Sequence, residues 1–170
     1  MNIAFVNAME PGETDRILAE TAALLARQRV FAAGIVRDLS YESAFDNGCD
    51  MKVRVLPDGP VIKITQYLGK GSNACRLDPG AIANAVAQVE IGDLSLAQVF
   101  ILNKFGPEEA AGRGFRDVIG RALALGLPIV VGLSRSSHTG FEEFTDGLAE
   151  PLPADAAAIS AWCMAAARLN

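Results

Sequence analysis

Residues 99–114 read VFILNKFGPEEAAGRG, and the reading of the whole chain turns on this stretch. Val99, Phe100, Ile101 and Leu102 form an unbroken apolar run, as expected of a central strand in a parallel sheet covered by helices on both faces. The run stops at Asn103 and Lys104, and Gly106 and Pro107 break the strand. Residues 108–114 then read as a loop, 115–125 as an amphipathic helix, and 128–133 (PIVVGL) as the next strand. Strand, polar loop, helix, strand is a βαβ unit. Polar groups at the carboxyl end of a buried strand lie where open α/β sheets bind ligands, so a site is expected at 103–106.

Outward from this unit, the amino-terminal third repeats the pattern. Residues 3–6 (IAFV) read as a buried strand, 7–13 as a loop, and 14–28 as a helix with Ile17, Leu18, Thr21, Leu24 and Leu25 at helical spacing. Residues 30–36 (VFAAGIV) read as a second strand. The middle differs. Residues 51–56 (MKVRVL) and 61–65 (VIKIT) alternate on either side of Pro57-Asp58-Gly59-Pro60, which predicts a β-hairpin at about 51–66 with Lys52, Arg54 and Lys63 on its solvated face. This hairpin reads as an insertion able to fold over the binding edge of the sheet. Residues 69–77 read as a loop, and Asp78-Pro79 as the capped start of a helix ending before Gly92. A polar loop at 134–139, a short helix at 141–144 and an alanine-rich helix at 155–169 complete the chain. Ile159, Trp162, Cys163 and Ala166 share one face of that last helix, which suits packing or self-association as a homodimer.

Bulk properties narrow the function classes. A chain of 170 residues suits a single domain, and at that size about 70% of the unfolded chain's surface can be buried. A net charge of −5 argues against a nucleic-acid partner, which needs a concentrated basic face. No stretch approaches the roughly 20 apolar residues of a membrane span. The amino terminus lacks the basic segment and long apolar run of a signal peptide. Three cysteines do not form a disulfide framework, and a reducing cytoplasm is the expected location.

Three groups of residues invite chemistry. Around Gly12 and Thr14 the loop 8–15 has one glycine and a helix-start hydroxyl, as phosphate-binding P-loops do, but no lysine, and Glu10 and Glu13 would repel a phosphate. At the end of the central strand, where a carboxylate holding magnesium would stand in a nucleotide hydrolase, the chain has Asn103 and Lys104. Lys104 is placed to supply the positive charge missing from the first loop. Cys49 and Cys75 flank the hairpin beside Asp50 and Arg76, so that its closure would bring them together. Their spacing lacks the further Cys or His ligands of a zinc site, no metal site is expected, and no local signature supports a nucleophile made of Cys75 and His138.

On these residues two resemblances rest. The order of elements over about residues 1–147 resembles the small kinase-like P-loop nucleoside-triphosphatases, through Pro11-Gly12-Glu13-Thr14, Ala33-Gly34-Ile35-Val36, and Asn103-Lys104-Phe105-Gly106-Pro107-Glu108 with Phe115-Arg116. Nearly the whole chain resembles an uncharacterised bacterial domain family of unknown function. The shared motifs are Cys49-Asp50-Met51, Leu56-Pro57-Asp58-Gly59-Pro60, Cys75-Arg76-Leu77-Asp78, Asn103-Lys104-Phe105-Gly106, Glu109, and Gly112-Arg113-Gly114-Phe115. That family is associated with molybdenum-uptake genes, which the resemblance turns into a candidate oxyanion ligand.

The expected fold is therefore a three-layer α/β domain with a mainly parallel sheet of P-loop-like type and an inserted hairpin. The expected function is binding of a small anion, a nucleotide or an oxyanion, without efficient hydrolysis. Lys104 would anchor the charge, Asn103 would orient the ligand, and Arg76 and Arg113 would assist. Gly12, Thr14, Cys49, Asp50, Cys75, Gly106 and Glu109 complete the candidate set. An active nucleoside-triphosphatase with a rearranged site and a non-catalytic regulatory or scaffold protein are the competing readings. The residues identify no cofactor.

Overall fold

The central strand runs further than its apolar run. In the computed structural model, which describes residues 2–43, 50–67 and 75–167, that strand spans Val99–Phe105 and includes Asn103 and Lys104. The other strands of the main sheet are β1 (Ile3–Val6), β2 (Ala32–Arg37), β3 (Lys52–Leu56), β4 (Val61–Lys63), β8 (Ile129–Leu133) and β9 (Glu150–Pro151), the central strand being β7. Strands β5 (Thr65–Tyr67) and β6 (Cys75–Leu77) form a separate antiparallel ribbon.

The main sheet has the order β4-β3-β2-β7-β8-β1-β9. Five of these strands, β2, β7, β8, β1 and β9, are parallel. Helices α1 (Glu13–Arg27) and α6 (Ala156–Ala167) cover one face. On the other lie α2 (Pro79–Ile91), α4 (Arg116–Ala124) and α5 (His138–Thr145), while α3 (Pro107–Ala110) is a single turn after β7. Alternation along β7 builds both cores. Val99 and Ile101 meet Ile17, Leu18 and Ile159, whereas Phe100 and Leu102 meet Val118, Ile119 and Phe141.

Four expectations are corrected. Residues 108–114 are not all loop, because Pro107 starts α3 at the position where a missing N–H costs nothing. Residues 75–77 are a strand and not loop, since Gln66 and Arg76 pair across the ribbon; residues 69–74 lie outside the described residues. The last short helix begins at His138, inside the stretch read as a polar loop. The predicted hairpin forms, but it does not fold over the binding edge. Strand β3 pairs antiparallel with β2, Ile35 opposite Val55, so the hairpin widens the sheet. This placement covers the edge β2 would otherwise leave open, and it buries Val53 and Val55 in the core. Lys52, Arg54 and Lys63 lie on its outer side, against Tyr41, Asp38 and Asp50 respectively.

The face of α6 is covered from within the chain: Ile159, Cys163 and Ala166 are buried, and α6 packs on α1. Burial pushes the Cys163 thiol up to about 12, which makes it an inert core residue. Trp162 is half-buried, and its Nε1–H donates to the Glu150 carboxylate at 2.5 Å, tying the helix to the edge strand β9. Among the described residues, no helix is long and apolar enough to cross a membrane.

A candidate anion site at the carboxyl end of the sheet

Strand β7 carries one extra residue at its carboxyl end. Leu102 lies opposite Val131 and Phe105 opposite Leu133, so three steps along β7 match two along β8. The bulge keeps Phe105 in the same core as Phe100 and Leu102, where strict alternation would turn it to the other face. Asn103 is left buried and Lys104 exposed. Close approach of the two strands here depends on Gly132, where a Cβ would overlap the Asn103 carbonyl oxygen.

Asn103 is the centre of a closed polar triangle. Its Oδ1 accepts the Arg37 backbone N–H at 2.9 Å, and its Nδ2 donates to Asp15 Oδ1 at 3.1 Å. The Arg37 guanidinium donates to Asp15 Oδ2, also at 3.1 Å. The end of β2, the end of β7 and the first turn of α1 are thereby fixed to one another. The amide uses both of its ends, and the carboxylate both of its oxygens.

Above this triangle lies a polar cavity of about 340 Å³. Its walls are the loop 7–12, Thr14 and Asp15, the bulge residues Asn103 and Lys104, and residues 132–135 after β8. The crossover from β1 to β2 passes over one face of the sheet and the later crossovers over the other. The cavity therefore sits at the topological switch point, where open α/β sheets place ligands. Gly12 adopts φ +76°, a left-handed conformation that lets the loop turn into α1 without a side-chain cap. Thr14 Oγ1 accepts the Ala8 N–H at 3.0 Å, and Glu13 N–H bonds the Glu10 carbonyl at 3.2 Å. Two N–H groups of the loop are thus engaged internally instead of facing the cavity.

The charges at the rim are uneven. Among the described residues Lys104 and Arg135 make no ion pair; the Arg135 guanidinium donates to the Met9 sulfur at 3.2 Å. Glu10 and Asp15 contribute carboxylates to the wall, and Asp15 is paired with Arg37. Ser134 also lines the cavity, its hydroxyl within 3.1 Å of Ser136 and 3.0 Å of Ser137.

Of the residues expected from sequence, Gly12, Thr14, Asn103 and Lys104 converge on this cavity. Gly106 and Glu109 border a second, adjacent cavity. The buried Glu109 carboxylate accepts the Gly106 N–H at 2.9 Å and the Phe115 N–H at 3.1 Å, so it staples the start of α3 to the start of α4. Burial raises its pKa, and the two N–H donors oppose that rise. Arg113 does not line the polar cavity; it forks onto Glu108 at 2.8 and 3.0 Å on the exposed side of α3, holding that carboxyl below its usual range. Arg76 is exposed on β6 and adds a weaker pull on Glu108. Asp50 lines neither of these two cavities. It is buried, with Tyr41 donating at 2.5 Å, Lys63 at 3.3 Å, and Ser43 also bonded to it. Cys49 lies outside the described residues, and Cys75 stands in β6.

Three residues of the site escaped the sequence reading. Asp15 looks like ordinary helix-start chemistry, Arg37 follows an apolar strand, and Arg135 sits in a serine-rich loop. Only their meeting in space assigns them a role. Among the described residues no group of three or more His, Cys, Asp or Glu side chains is arranged to hold a metal ion.

A mainly parallel sheet between two helical layers, with a polar cavity at its switch point, defines a doubly wound α/β protein. THEP1 from the hyperthermophile Aquifex aeolicus, known from its crystal structure, has a similar fold: TM-score 0.60 at 13% identity, over 91% of this chain and 90% of that one. The chain itself belongs to the family described as protein of unknown function DUF2478, whose model matches residues 3–162. It is also 32% identical, over 152 residues and 88% of its length, to molybdenum import ATP-binding protein ModC 2 of Bradyrhizobium diazoefficiens. The chain spans 17% of that relative's length.

Proposed function

We propose that the polar cavity binds the anionic group of a small ligand, a nucleotide or an oxyanion such as molybdate, without efficient hydrolysis. The observation that carries this reading is the pair of cations, Lys104 and Arg135, that face a polar cavity with no ion pair among the described residues. Unpaired cations at a switch point attract and hold an anion. A volume of about 340 Å³ lies within the range of small-molecule sites, roughly 300–1,000 Å³. The relative's description as a molybdenum import ATP-binding protein supports nucleotides and molybdate as the first ligands to try.

Lys104 takes the part a P-loop lysine would play, reaching the anion from β7, which β8 separates from β1. Hydrolysis is a different demand. Glu13 follows Gly12 where a P-loop has lysine, and Asn103 stands where a magnesium-holding carboxylate would, already engaged by Asp15 and Arg37. Both changes remove groups that stabilise the charge of phosphoryl transfer.

Thermal unfolding with ATP, GTP, molybdate, sulfate and phosphate tests the reading. A ligand at 100 times its dissociation constant should stabilise the protein by about 2.7 kcal/mol. Turnover of ATP or GTP should stay below about 1 s⁻¹. Absence of a shift with every anion would refute the binding site, and faster turnover that follows the protein through a second purification would refute the inert one.

A further inference from the structure

A second cavity of about 270 Å³ adjoins the polar one, and the two share Asn103, Lys104 and Ser134. Its described walls are mostly apolar, with Ile35 and Leu102 from the parallel strands, Met51, Val53 and Ile64 from the hairpin region and Phe115 from the start of α4, and with Ser134, Ser136 and Ser137 as uncharged polar members. A mostly apolar hollow that shares Lys104 with a polar cavity has the build of a ligand site, with one part for affinity and the other for orientation.

The charges at its rim are arranged to suit an anion at Lys104. Two carboxylates, Glu108 and Glu109, border the hollow, and either could repel such a group. Glu108 is held by the Arg113 fork at 2.8 and 3.0 Å. Glu109 is occupied by the N–H groups of Gly106 and Phe115 at 2.9 and 3.1 Å. Lys104, by contrast, lines both cavities and makes no ion pair among the described residues.

We infer that the two cavities form one bipartite site for an organic oxyanion, its anionic group beside Lys104 in the polar cavity and an aromatic or branched aliphatic body in the apolar hollow. The inference rests on the reading that the polar cavity holds an anion, and adds that a bare tetrahedral ion fills only half of the site. Leu77, 40% exposed at the end of β6, lines the hollow from its open side and is the place to alter it.

The test compares inorganic phosphate with phenyl phosphate by calorimetric titration of the full chain. Burying the ring in an apolar wall should make phenyl phosphate bind at least about tenfold tighter. Leu77→Trp, which fills the hollow, and Leu77→Gln, which makes its wall polar at nearly constant size, should each cut that advantage to about threefold or less while leaving phosphate affinity unchanged. The pair guards against one variant failing to fold. Phosphate and phenyl phosphate binding equally to the wild type would overturn the bipartite site and leave the anion reading intact. An advantage that survives in a folded variant would also overturn it, by placing the ring elsewhere. Binding of neither ligand would remove the anion reading and this inference together.

Discussion

The Asn103 side chain donates to Asp15 Oδ1 at 3.1 Å, so the residue that ends the apolar run of the central strand holds the first turn of α1 in place. Its carbonyl oxygen simultaneously accepts the Arg37 N–H at 2.9 Å. One amide thereby sets the distance between the loop that follows β1 and the strands that face it. Asn103 and Asp15 both line the polar cavity, so this contact sets part of its shape.

Asn103→Ala should therefore destabilise the protein by about 1–3 kcal/mol, because the Arg37 N–H and the Asp15 carboxylate each lose a partner in a poorly solvated place. Urea unfolding measures this directly. A change below about 0.5 kcal/mol, the usual effect of a surface substitution, would mean that the triangle holds nothing.

Gly132→Ala should cost more than about 2 kcal/mol, since the added Cβ meets the Asn103 backbone carbonyl and not a flexible side chain that could move away. Relief would require β7 and β8 to separate at the bulge. A variant that melts with the wild type would show that the strands do not approach as closely as described.

The Glu109 staple has a pH signature. Burial raises the folded-state pKa above the ordinary value of 4.5, so between these two values the folded state keeps a proton that the unfolded state has lost. Stability from this group is then greatest below about pH 4.5 and falls as pH rises through the folded value. Glu109→Gln, which does not titrate, should cost about 1–3 kcal/mol because its amide NH₂ meets a backbone N–H donor. The gap between wild type and variant should narrow from pH 4 toward neutrality. A gap that widens would reverse the sign of the shift.

Much of this was legible in the sequence, and the parts that were not share a cause. The apolar run 99–102, the alternation in 51–56 and the Asp78-Pro79 helix start each follow from local patterning, and the structure has all three elements. The end of β7 was not legible, because a bulge breaks the period of two on which strand reading depends. Gly132, which makes the bulge possible, lies about thirty residues away in another strand. The site divided in the same way. Lys104 and Asn103 stood out as polar groups ending a buried strand, whereas Asp15, Arg37 and Arg135 matter only through contacts between distant parts of the chain.

Glu10→Gln should strengthen anion binding several-fold at low salt. It removes one of the two carboxylates on the described wall, the other being Asp15, which Arg37 and Asn103 already engage, and at about 4 Å two unit charges still interact by about 1 kcal/mol in water. The gain should shrink as salt is raised, because the charges are solvent-accessible. Affinities of wild type and variant measured at about 0.01 and 1 M ionic strength provide the check. Equal affinity at low salt would place the anion away from this wall.

The central claim is that Lys104 and Arg135 together hold an anion at the end of β1, β7 and β8. Equilibrium titration with ATP, on the wild type and on the Lys104→Ala, Arg135→Ala double variant, tests it most directly. The account predicts saturable binding by the wild type and at least about a hundredfold weaker binding by the double variant, since each charged contact is worth about 1.5–3 kcal/mol. The double variant should unfold at the wild-type temperature, as both side chains are exposed and unpaired among the described residues. Unchanged affinity in a folded double variant would contradict the claim.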